Sequence, residues 1–590
     1  MRTAQASTLI MLLLLASLSA VMQPANAADT TVNTETTWSG EIVLTGNVTV
    51  ANGTTLTIAP GTTIDAGEDH WIRIEGSLIA SDTTLSSSAT PLTQGSHGAG
   101  LWVGIQIESN GHAQLSNVTI NNSKTAVRNH GNLVATTLHI NDAYIGLSNS
   151  GTASLADLTA QDIDYDVVRT SGSLNVEVAT FTNVAGGIVS SGTSDVSDLS
   201  FYQTGLALKA TSGHLQASGV SFNGVTVGIA SQAGAVASVA SVIGTNVALV
   251  VDAADSDDLT LDTMVISGHR LLLANGATHL QAEDITFVGN LNETRAVLDQ
   301  RCNGICTWNQ TTLTNTVWGV ALSGDGDHTF NDLTSESTLR NIDASGNGNL
   351  LMSNATLHGS DAALSLRGPS SIIDGASITS LSSSAIALDV LDGHHDWNDV
   401  SVSKTYSSQD TTSIGLKAWY STIVAEGLSI ANHGHGIQLS NTNLDGNTMT
   451  VVDGKSTGIL LEDSHLDVGS LTTQVFPTGA LLEGASTLQA SNWDANLHGT
   501  PLMVGSESTA TVRDFQPQNT QTTSSDALGD GYLLHGGSTS ATIATSSSDF
   551  LEETPVTFTD LTGSPIEASI TVHGFTLQSN SNGAATLPLK

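Results

Sequence analysis

Apolar residues in this chain recur two apart in short pairs, and the set of pairs recurs about every 20 residues. Glycines mark the repeat at 111, 131, 151, 172, 192, 213 and 234, with spacings of 20, 20, 21, 20, 21 and 21. Taking each glycine as zero, offsets +2, +4, +7, +9, +14 and +16 are apolar at 37 of 42 positions, against about 16 expected from the overall 39% content. The coil from Gly131 reads Leu133, Ala135, Leu138, Ile140, Ile145 and Leu147, and the coil from Gly213 reads Leu215, Ala217, Val220, Phe222, Val227 and Ile229. Two-residue spacing is the period of a strand with one face turned inward. Each coil therefore predicts three short strands, with Gly, Asn, Asp and Ser at the bends, where left-handed backbone is useful. No helical spacing is sustained over ten or more residues.

Three strands and three turns in about 20 residues make one rung of a parallel β-helix. Rungs stack at ~4.8 Å, so residues of equal offset form columns, such as Ile120, Ile140, Ala160 and Phe181. No rung could bury its apolar face alone, so stability comes from the stack. The strand text returns at Gly436-Ile-Gln-Leu, Gly458-Ile-Leu-Leu, Gly479-Ala-Leu-Leu and Pro501-Leu-Met-Val. Between the two regions, Gly319, Ala385 and Gly415 open similar strands. Residues 290–318 break the pattern and read as a loop protruding from one rung. That segment holds the only cysteines, Cys302 and Cys306, whose spacing suits a local disulfide.

The N-terminal region has its own text: Leu56-Thr-Ile-Ala-Pro-Gly61-Thr-Thr-Ile64, Ile72-Arg-Ile-Glu-Gly76-Ser-Leu-Ile-Ala80 and Trp102-Val-Gly-Ile105. Here the chain resembles pectin-lyase-like right-handed β-helix proteins, and more narrowly secreted surface β-helix proteins. The resemblance covers about residues 35–515. It implies a right-handed parallel β-helix and export, but no particular activity, because this superfold hosts enzymes and inert scaffolds alike. The last forty residues, from Val556-Thr-Phe-Thr to Ser581-Asn582-Gly583, are similar to part of a small Ig-like or transthyretin-like module.

The expected organisation follows. Residues 1–27 are a signal peptide and 28–110 a cap with the first coils. Residues 111–289 are regular coils, 290–345 irregular coils with the disulfide loop, and 346–515 further coils. Residues 516–550 are a Ser/Thr-rich linker or the last coils, and 551–590 a partial β module. The signal reading rests on Arg2, the apolar run Leu9–Ala20, Pro24 and the small-x-small site Ala25-Asn26-Ala27. That run is short of the ~20 residues a membrane span needs, and no later segment has 18 apolar residues. A secreted or cell-surface protein is expected. Net charge is −39, from 55 Asp and Glu against 16 Lys and Arg, which makes nucleic acid a poor partner. Seven Asn-x-Ser/Thr sequons, including Asn52 and Asn292, would allow glycosylation.

Candidate chemistry is sparse. The lyases of this fold use acidic calcium ligands and a basic catalytic residue on one outer face. Arg73, Arg128, Arg169, Arg270 and Arg340 show no consistent offset beside carboxylates. Gly434-His435-Gly436 matches a polygalacturonase tripeptide, but the partner carboxylate motifs are missing and His435 sits at a turn. The densest polar cluster runs from Asp392 to Asp399. Alternation puts His394 and Asp396 on one face, for a metal or sugar, with Trp397 as a stacking platform; the alternative is a solvated turn. Trp308, Trp318, Trp419 and Tyr420 are further candidates for a glycan platform, or pack under loops. Asp325, Asp327 and His328, and the stretch Asp252–Asp258, resemble calcium-binding turns, so structural calcium is conceivable and no other cofactor is expected. The leading functional expectation is a non-enzymatic scaffold that presents loops to polysaccharide or surface glycans. The alternatives are a polysaccharide lyase or glycoside hydrolase, and a surface-layer or fibre subunit.

Overall fold

A computed structural model describes residues 29–88, 101–382, 385–405, 410–504 and 507–518, with short pieces between 534 and 589. The expected signal peptide lies outside the described residues. The chain divides into two units, Met1–Phe287 and Val288–Lys590. Both are parallel β-solenoid, about 21 turns in all, with no helix among the described residues.

In unit 1 the predicted columns form. Ile120 pairs with Ile140, Ile140 with Ala160, Ala160 with Phe181 and Phe181 with Phe201. Leu138, Leu158 and Val220 are fully buried. One bend of each rung is taken in the left-handed region by Asn122, Asp142, Asp162, Asn183 and Gln203, with φ between 50° and 56°. These short polar or flexible residues tolerate that backbone better than β-branched ones.

The sequence expectation differs from the fold in two places of unit 1. The +14 position is not an inward column: Ile145 and Val227 are only half-buried and Tyr165 is 40% exposed. The register slips between Ile163 and Asp166, so Asp166, not Tyr165, pairs with Gly186. Nor does Gly234 continue the frame. Gly213 pairs with Ala235, so Ala237 and Val239 point inward while Val236 and Ile243 are 38% and 60% exposed. One extra residue at the turn reverses the facing of everything after it.

In unit 2 the Gly-Ile-x-Leu text has a steric cause. A Cβ added to Gly415, Gly436, Gly458 or Gly479 would come within 2.4–2.8 Å of the next rung's carbonyl oxygen. Only glycine lets the backbone pass there. The protruding loop expected over 290–318 is also corrected, because the strand Ala296–Gly324 runs through it. Ile305–Leu322 pairs with Asp327–Ala344, with register shifts between Leu313 and Trp318, and the Cys302–Cys306 disulfide is formed and fully buried within that strand.

Part of the 516–550 segment extends the coil: Leu534–His535 pairs with Met503–Val504, and Ala541–Ile543 with Ala510–Val512. Beyond it, Glu552–Thr557 pairs antiparallel with Ala584–Leu589, and Ser569–Val572 with Phe575–Gln578. The rest of the expected module lies outside the described residues. Among the described residues no helix is long and apolar enough to cross a membrane.

Candidate functional site

Strand alternation splits the Asp392–Asp399 cluster between two environments. Asp392 sits in the turn with φ 62°, exposed. The strand His394–Lys404 then turns His394 and Asp396 outward and His395 and Trp397 inward. The outward pair meets at 3.2 Å, with both side chains more than half exposed. Trp397 is 2% exposed and offers no platform to a sugar, which corrects the expectation from sequence.

Inside, the groups form a closed relay. The Trp397 indole N–H donates to Ser371 Oγ at 3.0 Å, and Ser371 Oγ lies 2.9 Å from His395 Nδ1. His395 Nε2 lies 2.9 Å from the Asp392 carbonyl oxygen. A carbonyl only accepts, so Nε2 carries the proton, and Ser371 donates to Nδ1. The ring is thus neutral with every polar atom engaged. Burial lowers its pKa, against the pull of the Asp392 carbonyl.

Two more relays of this kind occur in unit 2, and the sequence reading missed all three. Trp308 donates to Gln300 Oε1 at 2.7 Å, Gln300 donates to His328 Nδ1 at 2.9 Å, and His328 Nε2 meets the Ser323 carbonyl at 3.2 Å. Trp493 donates to Thr473 Oγ1 at 2.8 Å, which lies 2.9 Å from His498 Nε2. Burial pushes His328 down to about 4. Asp325 and Asp327, read as possible calcium ligands, instead accept from Asn347 and Asn349 of the next rung at 3.0 and 2.8 Å. Among the described residues no three His, Cys, Asp or Glu side chains converge as a metal set.

His435 does not meet the Asp392–Asp399 cluster. His394–Trp397 are laddered with Thr422–Ala425, while His435 belongs to a different ladder, paired with Ile414. Its flanking glycines serve packing: a Cβ on Gly434 would lie 2.5 Å from Thr411 backbone, and one on Gly436 2.2 Å from Val451. His435 lies instead near a buried ion pair at the far end of the His394–Lys404 strand. Lys404 Nζ bonds Asp410, and both side chains are 1% exposed. Asp410 also accepts the Ser413 hydroxyl and the Thr412 and Ser413 N–H groups. Burial pushes the Asp410 carboxyl up, but these donors outweigh it and hold it well below the usual carboxylate range. Burial, and then the Lys404 ammonium, push the neighbouring His433 down to about 4. Neither of its ring nitrogens makes a well-formed hydrogen bond among the described residues. Lys404, Asp410, Ser413 and His433 are buried, and His435 at the edge is half-buried.

Exposed aromatics lie elsewhere. In unit 2 Trp318 and Trp419 are half-buried, carrying Arg340 and Lys417 over their rings, and Tyr420 is exposed in a turn. In unit 1 Tyr144 and Tyr165 stack at 5.4 Å on the outer surface, and the Arg169 guanidinium lies 4.8 Å from the Tyr165 ring. No protein-family model and no curated protein matches this chain.

Proposed function

We propose that the protein is an exported, cell-surface or extracellular scaffold that binds glycans on its outer sheets without turning them over. The observation that carries this reading is the outward Tyr144–Tyr165 stack, with Tyr144 half-buried, Tyr165 exposed and Arg169 across the Tyr165 ring. Aromatic faces and guanidinium groups together suit the apolar faces and hydroxyl edges of sugar rings. Of the residues that sequence offered as chemistry, Trp397 is packed inside the coil, His394 and Asp396 form an exposed pair, and His435 is half-buried. The coil is taken to wind right-handed, the hand that the resemblance implies. Residues 1–27 are taken as a cleaved signal, so the exported chain should begin at Ala28.

The test is a screen of the purified protein against neutral and acidic polysaccharides, with and without calcium, scoring binding and product release separately. Binding without products, weakened several-fold by Tyr165→Ala, is expected. Turnover abolished by His435→Ala or Asp410→Asn would establish the lyase or hydrolase reading instead, and ordered assemblies by electron microscopy the fibre reading.

A further inference from the structure

Lysine and arginine are scarce in this chain, 16 against 55 acidic residues, yet four of them share one outer ladder of unit 1. Arg73 pairs with Gln106, which pairs with Arg128, which pairs with Ser148. Ser148 pairs with Arg169, Arg169 with Val189, and Val189 with Lys209. The slip before Asp166 hides this in the sequence, because it moves Arg169 one place off the offset of Arg128 and Lys209. The cations occupy alternate rungs. At ~4.8 Å per rung they stand ~9.6 Å apart, over a span of ~29 Å.

All four face outward. Arg128 is exposed, the Arg73 and Arg169 side chains are 38% and 49% exposed, and Lys209 is part-exposed. Two are held in place by aromatic rings: Arg73 lies 4.4 Å from the Trp71 ring and Arg169 4.8 Å from that of Tyr165. Arg73 meets Glu108 at 3.3 Å and Arg169 meets Asp166 at 3.0 Å. A guanidinium has five N–H donors, so one carboxylate edge leaves others for a ligand.

We propose that this ladder binds a linear acidic polysaccharide carrying one anionic group per disaccharide; the proposal rests on the glycan-binding reading above. Two pyranose rings end to end cover the distance between neighbouring cations. The intervening rungs offer Gln106 and Ser148, which hydrogen-bond a neutral sugar, and Val189, which meets an apolar sugar face. A polymer with an acid on every sugar would set half its charges against these uncharged rungs. An acidic peptide fits poorly: ~9.6 Å is three residues at ~3.3 Å each, and residues three apart on a strand point to opposite sides. Duplex DNA repeats its phosphates every ~3.4 Å along each strand. The net charge of −39 opposes any polyanion at long range. At physiological salt, however, charges beyond ~8 Å are largely screened, and along the ladder the four cations outnumber the two carboxylates, Glu108 and Asp166, that pair with them.

The experiment is titration calorimetry on the exported full chain. The probes are octasaccharides of hyaluronan (one carboxylate per disaccharide) and κ-carrageenan (one sulfate per disaccharide), with polygalacturonate, dextran and duplex DNA for comparison. Binding of either octasaccharide ahead of polygalacturonate is expected, and which one binds tells carboxylate from sulfate. Arg128→Gln should weaken binding roughly fivefold. Arg128→Gln/Arg169→Gln should weaken it roughly 25-fold, since sites this far apart act nearly independently. Lys417→Gln, in unit 2, should change nothing, and unaltered circular dichroism melts show that the variants fold. Equal or better binding of polygalacturonate or DNA, or full affinity in the double variant, overturns the proposal. If dextran binds and both acidic octasaccharides fail, this inference falls while glycan binding stands. If no polysaccharide binds, both fall.

Discussion

In unit 1 an interior column stacks Phe181, Phe201 and Phe222, with ring centroids 5.0 and 5.8 Å apart. Earlier rungs carry a polar ladder. Asn129 donates to Asn149 at 2.7 Å and to the Thr152 carbonyl, and Asn149 donates to Thr170 at 2.9 Å and to the Ser173 carbonyl. In unit 2 the buried tryptophans sit one to a relay with histidine, and a Lys404–Asp410 pair is buried nearby. Among the described residues, the buried polar groups of unit 1 include no histidine, while unit 2 buries His328, His395, His433 and His498. In both interiors these ladders and relays carry hydrogen bonds from rung to rung. The difference is that the ladder's amides and hydroxyls are neutral at any pH, whereas His328 and His395 accept their hydrogen bonds only while unprotonated.

Acid should therefore separate the two units, with the largest effect expected here. His328 and His433 are held near 4 by burial, against 6.5 when free. Below pH 6.5 the unfolded chain binds more protons than the folded one. The histidine contribution is thus complete above pH 6.5, falls as pH drops, and levels off below about 4. At 1.36 kcal/mol per pKa unit, each group contributes roughly 3 kcal/mol and the two together on the order of 6 as an upper bound. Hydrogen exchange at pH 7, 5.5 and 4.5 should show unit 2 losing protection while unit 1 keeps it. Loss in unit 1 first, or in step, would sink the comparison.

The buried pair sharpens the same contrast by charge. Lys404→Met leaves Asp410 buried beside Ser413 without its ammonium, which should cost unit 2 about 3–5 kcal/mol. Lys404→Met/Asp410→Leu removes both charges and should recover most of that loss, because breaking such a pair costs more than replacing it. Urea unfolding followed by tryptophan fluorescence reads both variants, since Trp397 and Trp493 report on unit 2. A double variant no better than the single one would mean that the pair is not the source of the effect.

The solenoid was legible in the sequence because alternation and rung length follow from backbone geometry. Columns such as Ile120–Ile140–Ala160–Phe181 could be read directly. What failed was phase. Tyr165 and the Gly234 coil were misplaced because a slip at Asp166 and an extra residue near 234 reset the facing, and one-letter text marks neither. The Cys302 rung was missed because its inward residues include Cys302, Cys306 and the relay polar Gln300 in place of aliphatic ones. The Asp392–Asp399 cluster looked like one site because its residues adjoin in sequence, whereas alternation sends them to opposite faces. The relay partner Ser371 lies 24 residues before His395, a distance with no local signature. The buried lysine did leave a signal. Val400, Val402 and Lys404 share one phase, and a Lys in the inward phase calls for a buried carboxylate partner.

Removing the hydroxyl of Ser371 tests the relays at the smallest scale. That oxygen accepts from Trp397 and donates to His395. Ser371→Ala therefore leaves two fully buried ring nitrogens without partners and should cost about 2 kcal/mol. Thr170→Ala in unit 1 removes one acceptor from Asn149, which still donates to the Ser173 carbonyl, so about 1 kcal/mol is expected there. The distinguishing measurement is the pH dependence of each loss. The Ser371 effect should shrink below the histidine range, where a protonated His395 no longer accepts from Ser371 even in the parent chain. The Thr170 effect should be the same at every pH, because nothing in its ladder titrates. Equal pH slopes for the two variants would mean that the imidazole relay is not what separates the interiors.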